Sequence, residues 1–72
     1  MEIYERIRAL REDNDLKQET VAKYLNMKQT NYSTYELGKH KIPIEMIIAL
    51  AKYYNVTSDY ILGLSDKKKW IT

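Results

Sequence analysis

QETVAKYLNMKQTNYSTYELGK, Gln18 to Lys39, is the stretch on which the reading of the whole chain turns. Its first half places Val21, Ala22 and Leu25 on one side of a two-turn helix. Its second half is almost free of aliphatic side chains: Gln29, Thr30, Asn31, Ser33 and Thr34 surround Tyr32 and Tyr35. A loop has this composition, and so does a helix with a working wet face. The tyrosines decide between them. They are three apart, so they share a helix face that can bury, and Gln29, Thr30, Ser33 and Thr34 then point outward.

The same helical spacing recurs on both sides of this stretch. Ile3, Ile7 and Leu10 form one apolar stripe, and Ile47, Leu50, Ala51 and Tyr54 form another. No strand-length alternation stands out. The punctuation is sparse, with two glycines and one proline. Asp13-Asn14-Asp15 breaks the first helix, and Asn26 breaks the second because asparagine tolerates the left-handed conformation. Gly38 stops the third, and Pro43 marks the start of the fourth. Thr57 caps a last short turn, with Asp59 at its positive end and Gly63 closing it. The expectation is an all-α protein of five helices, at roughly 2–13, 17–25, 28–37, 44–54 and 57–63. Residues 1–65 form one domain and 66–72 a basic tail.

Seventy-two residues give a core near the lower limit for independent stability. A 44% hydrophobic content argues against disorder. With no cysteine there is neither disulfide nor thiolate metal site, and the single His40 cannot anchor a histidine metal cluster. No apolar run approaches the roughly 18 residues of a membrane span, and no signal-peptide core follows Met1. A soluble, cytoplasmic protein without cofactor or small-molecule ligand is expected. The net charge of +2 is unevenly spread: residues 17–41 hold five lysines against two glutamates. Such a patch suits a polyanion, or is an ordinary solvated surface.

Helix, tight turn at Asn26-Met27, helix is the spacing of a helix-turn-helix. Ala22 is small where the two helices cross most closely, and Val21, Leu25, Tyr32 and Tyr35 fill the angle between them. The outer face of the third helix is free to enter a major groove. Gln18 to Lys39, followed by IPIEMIIALAKYYNVTSDYIL, resembles the phage repressor and Cro-type helix-turn-helix proteins, the XRE family, over about residues 3–64. The run Ser33 to Lys39 and the Leu-Ala before the turn at Val56 to Ser58 carry much of that resemblance.

The resemblance implies a compact lambda-repressor-like domain that binds DNA, with the third helix as reader. It places Gln29, Thr30 and Thr34 at base edges, with Ser33 as a further candidate. Glutamine pairs bidentately with adenine, and threonine offers a hydroxyl or presses its methyl on thymine. Gln18 matches a residue that holds a backbone phosphate; Lys39 and Lys41, just past the third helix, suit phosphate, and Asn31 is a weaker candidate. Arg11 and Glu36 match a structural pair in which guanidinium and carboxylate fix the tilt of the reading helix. The departures are Lys17 and Lys28, which stand where the family has Ser or Thr caps; they forgo capping and offer charge to phosphate. Leu37 also departs, at a position that is often polar.

Nothing in the chain supports catalysis. The expected partner is double-stranded DNA, bound by two copies on a palindrome about 34 Å apart as in a transcriptional repressor. Tyr60, Ile61, Leu64, Trp70 and Ile71 are the apolar residues expected for self-association. The alternative is a protein-interaction or antitoxin-like module on the same fold. A complete chain of this kind resembles a Cro-like small repressor, and a fragment the N-terminal module of a larger regulator.

Overall fold

The described residues form five helices: α1 (Ile3–Asp13), α2 (Gln18–Tyr24), α3 (Gln29–Glu36), α4 (Ile44–Tyr54) and α5 (Ser58–Leu62). The structure is a computed structural model and describes residues 2–66. Trp70, Ile71 and the rest of the tail after Asp66 lie outside the described residues. Among the described residues, none is in a strand. No helix there is long and apolar enough to cross a membrane.

Each helix contributes to one core. Ile7 and Leu10 come from α1, Val21 and Ala22 from α2, Tyr32 from α3, Ile47, Leu50 and Ala51 from α4, and Ile61 from α5. Leu25, Tyr35 and Tyr54 pack against this cluster partly buried. α2 and α3 pack on one another, α1 lies against α3 and α5, and α4 against α5. Tyr32 is fully buried, so the opposite side of α3 faces solvent.

The helices end alike. After each, one residue takes a left-handed conformation: Asp15, Asn26, Gly38, Asn55 and Gly63, with φ of 55, 59, 77, 55 and 81°. The next N–H reaches back to a carbonyl in the last turn: Leu16 to Arg11 O, Met27 to Ala22 O, Lys39 to Thr34 O, Val56 to Ala51 O and Leu64 to Asp59 O, all at 2.9–3.1 Å. This Schellman closure reverses the chain and satisfies orphan carbonyls. Asp and Asn fill three of the five positions, which explains how so many sharp turns form with two glycines. The starts are more varied. Thr57 caps α5, accepting from the Tyr60 N–H at 3.0 Å. Lys17, Lys28 and Pro43 precede α2, α3 and α4 without any side-chain cap.

Candidate nucleic-acid interface

The site is built on a buried ion pair. Arg11, from the last turn of α1, meets Glu36, at the end of α3, through two hydrogen bonds: Nε to Oε2 at 2.8 Å and Nη2 to Oε1 at 3.1 Å. Its third donor, Nη1, bonds the Leu16 carbonyl at 2.8 Å. Glu36 is only 3% exposed. Burial alone would raise its pKa, but the donors around it, Arg11 first, outweigh burial and hold the carboxyl below its ordinary value. Arg11 moves upward in response, chiefly through its hydrogen bond to Glu36. The buried Tyr32 hydroxyl meets no partner at hydrogen-bonding geometry. Burial pushes this phenol far above the usual tyrosine range, and the nearby carboxylate adds to the shift. Glu36 is therefore a structural anion that ties α3 to α1.

From Glu36 the network runs outward. Gln18 Nε2 donates to Glu36 Oε1 at 3.1 Å, and Gln18 Oε1 accepts from Gln29 Nε2 at 2.6 Å. The half-buried Gln18 thus links the pair to the first residue of α3, which is exposed. Thr30 and Asn31 are also exposed, while Ser33 and Thr34 are half-buried. Thr34 Oγ1 donates to the Asn31 carbonyl at 2.6 Å and lies 3.0 Å from His40 Nδ1. Lys17 and Lys28 stand at the starts of α2 and α3, with Lys39 and Lys41 beyond the end of α3, all four exposed. The result is a polar surface on α3 between cations, set on a rigid base. Among the described residues no group of acidic, histidine or cysteine side chains is placed to hold a metal ion.

Two contacts lie beyond the sequence reading. Gln18 spends its oxygen and one amide proton inside the protein, leaving one proton for a phosphate. His40, read only as a residue too solitary for a metal cluster, lies against Thr34. The expected self-association surface needs a correction: Ile61 is fully buried in the core. Tyr60 is half-buried, its ring under the Arg6 guanidinium at 4.9 Å. Leu64, at 75% exposure, does lie open.

A family model described as helix-turn-helix matches residues 7–61. The chain belongs to the helix-turn-helix family. Helix-turn-helix relatives include the HTH-type transcriptional regulator YobD of Bacillus subtilis, itself uncharacterized, 37% identical over 62 residues. That match covers 86% of this chain and 55% of YobD. The cryptic phage CTXphi transcriptional repressor RstR of Vibrio cholerae is 39% identical, with 89% of this chain and 62% of RstR covered. The chain therefore spans little more than half the length of these relatives. They are regulators rather than enzymes, as the sequence reading expects. Among solved structures, the P22 c2 repressor in complex with a synthetic operator superimposes with a TM-score of 0.79 at 26% identity, over 90% of this chain and 98% of that one. The lambda-repressor-like, all-helical fold expected from the sequence is the fold of this helix-turn-helix domain.

Proposed function

We propose that the chain binds double-stranded DNA sequence-specifically as a transcriptional repressor, with α3 in the major groove and two copies on a palindromic operator. One observation carries this reading: the outer face of α3 offers amide and hydroxyl groups between lysines, while its inner face is locked by Tyr32 and Glu36. The complex of the P22 c2 repressor with a synthetic operator supports it. Gln29, Thr30, Ser33 and Thr34 then take base edges. Lys17, Lys28, Lys39 and Lys41 take phosphates, with Gln18 and Asn31 adding neutral contacts.

Two copies follow from energetics. A single module buries only about 600–1,000 Å² on DNA, which is little for specific binding. The open Leu64 beyond α5 and Ile48 on α4, which is 44% exposed, supply apolar surface for the second copy. The rival reading, a protein-interaction or antitoxin-like module, calls for an apolar strip on α3, and the outward residues of that helix are polar.

Selection of bound sites from random duplex DNA at physiological salt, combined with molecular mass in solution and on DNA, tests the proposal. The expected outcome is an enriched palindrome, a dimer on DNA, and affinity that falls with salt by a slope of about 0.9 per neutralised phosphate. Binding indifferent to both base order and ionic strength would end it.

A further inference from the structure

His40 lies outside every role assigned so far, and its position is built by the fold. The Schellman closure after α3 turns the chain at Gly38, with Gly38 N–H bonded to Tyr35 O and Lys39 N–H to Thr34 O, both near 3 Å. Gly38 is required there twice over. Its φ is +77°, and a Cβ on it would come within 2.9 Å of the Tyr4 ring. The reversed chain brings the His40 ring edge-on to Tyr35, with centroids 6.1 Å apart, and sets Nδ1 3.0 Å from Thr34 Oγ1.

The hydrogen-bond inventory of Thr34 then decides what this contact does. A threonine hydroxyl has one proton and two lone pairs. The proton is committed to the Asn31 carbonyl at 2.6 Å. The bond to His40 therefore requires the imidazole proton on Nδ1, and it consumes one lone pair. What remains for a partner is a single lone pair and the methyl group. Thr34 becomes an acceptor with an apolar neighbour, unable to donate.

We infer that His40 is a specificity-determining positioning residue: it fixes the Thr34 hydroxyl as an acceptor, so that Thr34 selects an adenine–thymine pair. This inference rests on the proposed reading of α3 as the base-reading helix. Adenine N6 and cytosine N4 are the amino donors of the major-groove edges, and only the adenine–thymine pair adds a methyl group for the Thr34 methyl to meet. Guanine O6 and N7 are acceptors and would face a hydroxyl with no proton to give. A donor on one lone pair also strengthens the hydroxyl's own bond to the Asn31 carbonyl, so without His40 that bond weakens and the proton turns outward to guanine more readily.

Two measurements test this, one without DNA. His40 is the sole histidine, so its ring nitrogens are identified directly in a long-range ¹H–¹⁵N spectrum of the neutral imidazole. Protonated Nδ1 with bare Nε2 is the expected result, and the Nε2–H tautomer overturns the inference. The second measurement is site selection from random duplexes with the wild type, His40→Ala, His40→Asn, Thr34→Val and the Thr34→Val/His40→Ala double variant. His40→Ala should lose about fivefold discrimination against guanine–cytosine at one base pair per half-site and leave the others unchanged. His40→Asn, whose amide N–H replaces Nδ1–H, should restore it. In the Thr34→Val background, which keeps the methyl and removes the acceptor, His40→Ala should be silent. A selective wild type whose preferences survive His40→Ala, or fall uniformly at all positions, overturns this inference alone. A wild type with no base preference overturns the reading of α3 beneath it, whatever the tautomer.

Discussion

Gln29 Nε2 donates to Gln18 Oε1 at 2.6 Å, and that bond orients both amides. Glu36 only accepts, so Gln18 must turn its nitrogen to the carboxylate and its oxygen to Gln29. Gln29 is left with one N–H and its own oxygen facing out, the donor–acceptor pair that matches adenine N7 and N6. The reading face is thereby coupled to the interior through a single side chain.

Gln18→Ala should therefore relax a base preference that it does not itself read. The expected loss is about fivefold in discrimination at the position read by Gln29, since one orienting hydrogen bond contributes on the order of 1 kcal/mol. Gln29→Ala should lose the same preference completely. Site selection with both variants checks this. A preference that vanishes with Gln29→Ala but survives Gln18→Ala would show that Gln29 orients itself.

The Arg11–Glu36 pair should dominate the stability of the domain. Arg11→Met leaves a carboxylate that is 3% exposed without its main partner, and the expected loss is about 3–5 kcal/mol at neutral pH. The pH dependence follows from the depressed Glu36 pKa. A depressed carboxyl contributes stability in full above its unfolded pKa and loses it as pH falls through the folded value. In Arg11→Met the carboxyl stays desolvated with the neutral Gln18 amide as its remaining donor, so protonation relieves it. Urea unfolding of both proteins should give curves that converge as pH drops below the ordinary glutamate range. Parallel curves would assign the pair a minor role.

The helices were legible because each of the first four carries either an apolar stripe or a decisive stop, from Ile3, Ile7 and Leu10 to Ile47, Leu50 and Ala51. The single turn of α5 is too short to have a stripe. Which of Tyr60 and Ile61 turns inward depends on how α5 meets α1 and α4, and Ile61 proves fully buried. The exposed polar side of α3 could be read from Tyr32 and Tyr35, since helical geometry fixes what lies opposite them. Of the links between site residues, the Arg11–Glu36 pair follows from the family resemblance, but those of Gln18 and His40 could not be read. Gln18 and Gln29 meet across the crossing of α2 and α3, and His40 returns to Thr34 only through the turn at Gly38. The left-handed Asn55 carries the same signal as Asn26, an asparagine that ends a helical stripe, and is legible on the same ground.

The uncapped starts of α2 and α3 predict an exchange of stability for affinity. Neither Lys17 nor Lys28 offers an acceptor to the free N–H groups, and each places a positive charge at the positive end of a helix. Lys17→Thr with Lys28→Ser should raise stability by about 0.5–2 kcal/mol per helix. The same change should weaken DNA binding and flatten its salt dependence by about 0.9 for each phosphate that is no longer neutralised. Thermal unfolding and a salt titration of affinity read the two effects separately. A gain in melting temperature with unaltered affinity would make the lysines bystanders at the interface.

Asn55 offers the cleanest test of the shared helix ending. Its φ is 55°, and the following Val56 N–H closes on Ala51 O at 2.9 Å, which carries the buried Val56 side chain into the core. An alanine at 55 must hold a Cβ in the left-handed region without the local polar interactions that make asparagine tolerant, at a cost of about 1–2 kcal/mol. Glycine meets no such penalty, although its greater freedom in the unfolded chain removes about 0.4–1 kcal/mol of that advantage. Asn55→Ala should therefore be clearly destabilising, while Asn55→Gly stays within about 1 kcal/mol of the wild type in either direction. The comparison isolates backbone conformation, since neither substitution removes a buried side chain: Asn55 is exposed. Equal losses for alanine and glycine would mean that the asparagine side chain, and not the left-handed turn, holds α4 closed.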